Sequence, residues 1–169
     1  MPSCSKQLDI CKKSLENNGF EVFSAANAVD AGQIFFSRIL PDVSAKVVSW
    51  GDSMTLEATG MLPHLFSDVN LEIIKTFEEA APWREIIQRR RLALLSDLFL
   101  TGSNAITQGG RIVNLDMIGN RTGAISFGPK NVVLFVGRNK IVPDLEAAFE
   151  RIRKIAAPRN AMRHKFDTP

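Results

Sequence analysis

Residues 97–107 have the sequence DLFLTGSNAIT, in which a short apolar run is followed at once by a turn of small polar residues. A run of this kind, bounded by Gly, Ser or Asn, is typical of a buried β-strand. The same pattern recurs at 45–53, AKVVSWGDS, and at 131–140, NVVLFVGRNK. Helical patterns separate these runs, and strands that alternate with helices predict parallel β-α units and an α/β fold.

The other predicted elements fill in this alternation. The spacing of Leu8, Cys11 and Leu15 predicts a first helix, and residues 20–24 are expected to form a strand. Asn27 is predicted to cap a second helix that Pro41 ends. Further along the chain, a strand is expected at 71–75, a helix from Pro82 onward and a last helix from Asp144.

Residues 105–107 and 111–115 flank the turn Gln108-Gly109-Gly110 and predict a β-hairpin. The antiparallel pair of this hairpin predicts a mixed sheet. The continuous apolar run at 131–136 is typical of a buried central strand. We found no linker, repeat or low-complexity segment. The prediction is therefore one domain over residues 1–169, with a mostly parallel sheet flanked by helices on both faces.

Composition excludes several classes of function. The chain has 169 residues, of which 45% are hydrophobic and 23% charged, and its net charge is +3. Its densest basic cluster, Arg89–Arg91, lies in a helical pattern without the interleaved aromatics of a nucleic-acid surface, so no nucleic acid is expected as a partner. The polar N-terminus and the lack of a long apolar run predict a cytoplasmic protein without a membrane span.

Metal binding is not predicted either. The two cysteines, Cys4 and Cys11, are seven residues apart in a helical pattern, and this spacing matches neither a redox pair nor a zinc site. Both are expected on the buried face of the first helix. His64 and His164 lie far apart in the sequence, so neither has the spacing of a metal ligand.

Candidate site residues follow the predicted strands, because ligands of open α/β sheets bind outside the carboxyl ends of the strands. Ser53 is expected either to help bind an anion or to serve only as a helix cap. Asn104 is expected either to bind a ligand or to complete a turn. Lys140 is a candidate point charge for a phosphate or carboxylate, although an exposed lysine without such a role fits equally well.

The loop at 116–121, DMIGNR, carries a further candidate group. Asn120 and Arg121 suit bidentate recognition of a carboxylate or phosphate. The alternative is that Arg121 pairs with Asp116 and fixes the loop. Asp116 is also the tentative general base if the protein is an enzyme. A small anionic ligand is therefore the expected partner.

Several ordered segments resemble the lactate utilisation (LUD) domain family: TGSNAIT at 101–107, IVNLDMIGNR at 112–121, FGP at 127–129, VGRNKIV at 136–142 and AAPRNAMR at 156–163. GDSMTL at 51–56 is similar to an earlier turn of the same family. With the N-terminal half matching mainly in pattern, the resemblance covers nearly the whole chain.

The resemblance implies a fold related to the sugar-phosphate isomerase and CoA-transferase superfamily. It also implies a role in bacterial lactate utilisation beside iron–sulfur subunits, with clusters in those partners and no cofactor intrinsic to this chain. The pocket residues that it implies are Ser53, Gly102, Ser103, Asn104, Asn114, Asp116, Asn120, Arg121, Asn139 and Lys140. Related proteins often continue past a pair like Thr168-Pro169 into a cysteine-containing tail, and no cysteine-dependent role is expected from the sequence given.

Three functions remain open at this point. The first is an accessory or ligand-binding subunit of an iron–sulfur lactate-oxidising system. The second is an enzyme that acts on a sugar phosphate or a CoA thioester, and the third is a non-catalytic ligand-sensing module. The sequence also leaves open whether the chain forms a homo-oligomer.

Overall fold

The computed structural model describes residues 4–78 and 80–165, except for the side chains of residues 4 and 5. In this part of the chain the strands are β1 (Val47–Trp50), β2 (Glu72–Ile74), β3 (Leu98–Thr101), β4 (Ala105–Thr107), β5 (Ile112–Val113), β6 (Asn131–Leu134) and β7 (Ile141–Val142). The α-helices are α1 (Cys4–Asn17), α2 (Ala28–Ile34), α3 (Leu40–Val43), α4 (Met54–Glu57), α5 (Leu62–Phe66), α6 (Trp83–Leu92), α7 (Asn120–Ser126), α8 (Leu145–Arg151) and α9 (Ala157–Arg163).

The described residues form two compact units. The four-stranded unit consists of Phe23–Gly102 and Asp116–Phe135, and the three-stranded unit consists of the described parts of Met1–Val22, Ser103–Leu115 and Val136–Pro169. Each unit therefore draws on separate segments of the sequence. The expectation of one domain over 1–169 stays a prediction.

The four-stranded unit contains a wholly parallel sheet in the order β2-β1-β3-β6. Its central strand β3 is buried on both faces, because successive side chains point to opposite sides of a strand. Leu98 and Leu100 join a core cluster around Phe35, whereas Phe99 packs with Ala93 and Ala124. Helical segments thus cover both faces of the sheet, which confirms the predicted α/β class.

Two predictions about strands were wrong. Residues 20–24 form no strand, and Phe20 is 45% exposed, so neither a neighbouring strand nor burial supports pairing there. Strand β6 lies at an edge of the sheet and not at its centre. Its apolar run is explained by the two sheet faces, since Val133 packs against the Phe35 cluster and Val132 against the Phe99 cluster.

The second predicted helix begins as expected but does not end at Pro41. Asn27 caps α2 by accepting a hydrogen bond from the backbone N–H of Asp30 at 3.0 Å. The helix then passes through a π-helical turn at Phe35–Ile39 into α3, which ends at Ser44 with a left-handed φ of 50°. Pro41 lies in the first turn of α3, where its missing N–H is not needed, so the helix continues past it.

The three-stranded unit contains the sheet β5-β4-β7. The predicted hairpin is confirmed, because β4 and β5 pair antiparallel through a turn in which Gly110 has a φ of +77°. β7 pairs with β4 in parallel, so the hairpin belongs to a second sheet and does not extend the four-stranded one. The core of this unit consists of Ala105, Val113, Ala148 and Ile152.

Helix α1 carries Cys11 on its buried face, as predicted, and the Cys11 thiol donates to the carbonyl of Thr107 at 3.5 Å. The side chain of Cys4 lies outside the described part of the structure. Asp144 caps α8 by accepting from the N–H of Ala147 at 2.9 Å. Within residues 4–78 and 80–165, no helix combines the length and the apolar character that crossing a membrane requires.

Candidate functional site

The carboxyl ends of β1 and β3 meet closely at Ser53 and Gly102. Ser53 is 7% exposed, and its hydroxyl oxygen accepts a hydrogen bond from the N–H of Leu56 at 3.3 Å, so it acts as the cap of α4. A Cβ placed on Gly102 would lie 2.4 Å from that hydroxyl oxygen. Gly102 therefore leaves the space that the Ser53 side chain occupies, and any larger residue would displace the cap.

Thr101, the last residue of β3, is fully buried, and its hydroxyl has no hydrogen-bond partner in the described part of the chain. A Cβ on Gly51 would lie 2.6 Å from this hydroxyl oxygen. Buried hydroxyls without a partner are uncommon, because the lost hydration is not replaced. This feature was not predicted, since nothing in the sequence distinguishes Thr101 from other strand threonines.

The loop before α7 is fixed by an ion pair between Asp116 and Arg121. The Arg121 Nε and Nη2 atoms donate to Asp116 Oδ1 at 2.9 and 2.6 Å, and the N–H of Thr122 donates to Oδ2 at 2.6 Å. The two side chains are 9% and 13% exposed. The alternative in which Arg121 pairs with Asp116 thus describes this loop, and Asn120 follows as the first residue of α7.

In the three-stranded unit, Asn104 and Asn114 bind each other's backbone segments. The side-chain oxygen of Asn114 accepts from the N–H of Asn104 at 3.0 Å, and the side-chain oxygen of Asn104 accepts from the N–H of Leu115 at 2.9 Å. Ser103 is buried, and its hydroxyl lies 2.9 Å from the carbonyl oxygen of Ala105 and 3.3 Å from that of Val113. These side chains hold the open end of the hairpin together.

The turn after β6 contains a short 3₁₀ helix, Arg138–Lys140. The N–H of Lys140 donates to the carbonyl of Gly137 at 2.9 Å. A Cβ on Gly137 would lie 2.7 Å from the side-chain oxygen of Asn139, so a larger residue here would require the exposed Asn139 side chain to move. Arg151 of α8 links the turn to β4: it donates to the carbonyl of Asn139 at 3.2 Å and to the carbonyl of Asn104. Burial lowers the pKa of Arg151, and the nearby charge of Arg159 lowers it further.

Sequence reasoning missed Arg151 because it lies in the last turn of a helix and follows no strand. It also missed Arg90 of α6, whose guanidinium carbon is 4.9 Å from the ring centre of Phe77 and 5.2 Å from that of Trp83. In the sequence Arg90 is one of three consecutive arginines, and the pattern does not separate it from its neighbours.

The described residues include no group of side chains that matches the ligand set of an iron–sulfur cluster. Such clusters are usually held by four thiolates, and the sequence has two cysteines. Burial raises the pKa of the Cys11 thiol, which disfavours the thiolate form that binds metal. Across residues 4–78 and 80–165 no group of three or more His, Cys, Asp or Glu side chains is placed to hold a metal ion.

The chain is an α/β protein. In each unit polar side chains fix the loops that follow the strands, and half-buried arginines lie beside these loops. A family model described as the LUD domain matches residues 8–169. The chain therefore belongs to the LUD domain family, which is associated with lactate utilisation. No curated protein and no solved structure matches it significantly.

Proposed function

We propose that this chain is a non-catalytic subunit that binds a small carboxylate and acts beside iron–sulfur proteins in lactate oxidation. The family's association with lactate utilisation supports the metabolic setting. The proposed ligand-binding residues follow the strands of each unit: Ser53, Gly102, Asn120 and Arg121 in the four-stranded unit, and Ser103, Asn104, Asn114, Asn139 and Lys140 in the three-stranded unit.

The observation that carries the non-catalytic role is the arrangement of Asp116. A general base must direct an oxygen at the proton that it abstracts. Both oxygens of Asp116 instead accept hydrogen bonds from the chain's own groups, Arg121 and the N–H of Thr122. Asp116 therefore acts in this proposal as a residue that positions the loop and not as a base.

The chemistry of lactate oxidation also supports the proposal of an iron–sulfur partner. Oxidation of lactate to pyruvate releases two electrons, and a chain with two cysteines, one of them buried, is poorly suited to carry a cluster that accepts them. In this proposal the electrons pass to an iron–sulfur partner protein. An accessory subunit that binds the acid and associates with iron–sulfur proteins fits this requirement.

Co-purification tests the association. The affinity-tagged chain would be isolated from cells that express it natively, and the iron and sulfide content of the isolated material would be measured together with its lactate-dependent dye reduction. We expect iron, sulfide and activity to co-purify. Iron-free material from cells that oxidise lactate would contradict the proposed partnership.

A thermal-shift series tests the ligand. L-lactate, D-lactate, pyruvate, a sugar phosphate and a CoA ester would each be added to the wild type, to Lys140→Ala and to the matched surface control Lys13→Ala. A ligand present at about 100 times its Kd adds about 2.7 kcal/mol of stability, which is roughly 5–10 °C for a chain of this size. We expect the shift with lactate or pyruvate, reduced in Lys140→Ala and retained in Lys13→Ala. Turnover of the sugar phosphate or CoA ester, with activity lost in Asp116→Asn, would favour the enzyme instead.

A further inference from the structure

The three consecutive arginines of α6 have different surroundings. Arg89 forms ion pairs with Glu78 and Glu85. Arg91 is exposed at the surface. Arg90 is half-buried, and its only hydrogen bond to the described residues runs from Nε to the carbonyl of Thr76 at 3.4 Å. The two terminal nitrogens of Arg90 therefore have no acceptor in the part of the chain that is described.

Two aromatic rings hold the Arg90 guanidinium in place. Trp83 lies seven residues earlier on the same helix, which puts it two turns away on the same face. Phe77 contributes the second ring, and both contacts lie within the range of a cation–π interaction. A guanidinium fixed in this way loses little further conformational freedom when it binds a ligand.

Arg90 also lies beside the carboxyl ends of β1 and β2. The Thr76 carbonyl that it contacts follows β2, and the hydroxyl of Thr76 donates to the carbonyl of Trp50, the last residue of β1, at 2.6 Å. Asp52, in the turn after β1, is near enough for its charge to act on Arg90, although no hydrogen bond joins them. The carboxyl ends of parallel strands are where ligands of such sheets bind.

We propose that Arg90 binds an oxyanion, a carboxylate or a phosphate, through its two terminal nitrogens, with Trp83 and Phe77 holding the guanidinium ready. The planar fork of arginine matches the paired oxygens of either group. Trp83 is 57% exposed, so solvent and ligands reach the side of the site that it forms. The proposal goes beyond the function proposed above, because it rests on the contacts of Arg90 and not on the residues proposed there to bind the ligand.

Calorimetric and tryptophan-fluorescence titrations with inorganic phosphate and, separately, with L-lactate test the proposal on the full chain. Arg90→Gln removes the fork, and Arg91→Gln makes the same charge change at the neighbouring exposed residue. We expect Arg90→Gln to weaken binding about 10- to 100-fold, the size expected for lost charge-assisted hydrogen bonds. Arg91→Gln should stay within about twofold of the wild type, since the exposed Arg91 contributes only a charge screened by solvent and salt.

The two ligands identify the source of the anion. Tighter binding of phosphate assigns the site to phosphorylated compounds, and tighter binding of lactate assigns it to carboxylates. Absence of binding by both, or equal weakening by the two glutamine variants, would overturn the proposal. Equal weakening by the two glutamine variants would leave the carboxylate binding and the co-purification of the proposed function intact, so the failure of this proposal is distinguishable from the failure of that one.

Two measurements cover the case in which Arg90→Gln does not fold. Arg90→Lys keeps the charge and the contact with the rings but lacks the fork, and we expect weaker binding with an unchanged melting temperature. In the wild type, arginine modification by phenylglyoxal, followed by peptide mass spectrometry, should show Arg90 protected by the bound anion and Arg91 unprotected. Equal modification of Arg90 with and without the anion would refute the site.

Discussion

Replacing Gly102 by alanine tests whether the close approach of β3 to the Ser53 turn stabilises the fold. The new Cβ would lie 2.4 Å from the Ser53 hydroxyl oxygen and 3.2 Å from the carbonyl oxygen of Phe135. The first contact is too short to persist, so Ser53 must move. Gly102 does not have a left-handed φ, and the expected effect is therefore steric and not a backbone effect.

The magnitude follows from two contributions. Forcing a methyl group into a filled space costs about 1–3 kcal/mol, and loss of a helix cap costs about 0.5–2 kcal/mol. We expect Gly102→Ala to lower the free energy of unfolding by about 2–4 kcal/mol. For a chain of this length, about 2–4 °C per kcal/mol gives a fall in Tm of roughly 4–16 °C.

Urea and thermal unfolding measure this change, and Gly109→Ala is the matched control. A Cβ on Gly109 would meet only the Thr107 hydroxyl, at 3.8 Å, which is an ordinary contact. We expect the control to change stability by less than about 1 kcal/mol. A similar loss in both variants would show that general glycine effects, and not the contact with Ser53, determine stability.

A double-mutant cycle isolates the contact. Ser53→Ala removes the hydroxyl oxygen that the new methyl group would strike, so Gly102→Ala should cost at least about 1 kcal/mol less in that background than in the wild type. Contacting residues commonly show coupling of this size, whereas independent sites add within about 0.5 kcal/mol. Additive effects would refute the steric reasoning.

Three further substitutions have defined expectations, and urea unfolding measures each of them. Thr101→Val should raise the free energy of unfolding by about 1–2 kcal/mol, because the buried hydroxyl has no partner among the described residues and a methyl group needs none. Asp116→Ala should lower it by about 3 kcal/mol, since it removes the carboxylate that pairs with the largely buried guanidinium of Arg121. Asp97→Asn should weaken the loss of stability in acid: Lys130 and the N–H groups of residues 46 and 47 hold the pKa of Asp97 far below its usual value, so its contribution is present above about pH 4 and is lost as pH falls.

The controls use exposed or matched side chains. Asp9→Asn removes an exposed carboxylate with the same change of charge, and an equal effect of Asp9→Asn and Asp97→Asn would place the acid dependence in overall charge. Destabilisation by Thr101→Val would mean that the hydroxyl binds a polar group in solution. Arg121→Ala should match Asp116→Ala, and a harmless Arg121→Ala would show that the pair does not fix the loop.

The sequence predicted the strands and helices whose patterns are local. Asn27, Ser53 and Asp144 cap helices, and Gly110 forms the predicted hairpin turn, because caps and turns depend on residues a few positions apart. Strand order and the assignment of β4 to a second sheet depend on pairings between distant segments. The apolar run of β6 reflects burial of both of its faces, and this pattern is the same whether a strand has one neighbouring strand or two. Its position at the edge of the sheet was therefore not predictable.

The assignment of the predicted residues to a ligand site stays a prediction, and the sequence indicated only some of their contacts. Sequence reasoning considered an ion pair between Asp116 and Arg121, and this contact is present in the structure. For Asn104 it left open a ligand role or a turn role, and the Asn104 side-chain oxygen accepts from the N–H of Leu115 across the hairpin. It did not find Arg90, because the features that distinguish it are two rings and a strand end brought together by folding. Three adjacent arginines give one signal in the sequence and three environments in the fold.

These contacts separate side chains that stabilise the loops of this chain from side chains that are available to a ligand. Loops that leave buried strands have backbone N–H and C=O groups that must find partners. Asn104, Asn114 and Asp116 accept hydrogen bonds from such N–H groups, and the Ser103 hydroxyl donates to the carbonyl of Ala105. Substituting such a side chain is a poor test of ligand binding, because the substitution alters the loop structure whether or not a ligand binds there. Donors that have no acceptor among the described residues, such as the terminal nitrogens of Arg90, are better indicators of ligand binding. Asp116→Ala should therefore lose stability first, whereas Arg90→Lys should lose anion binding while its stability stays near that of the wild type.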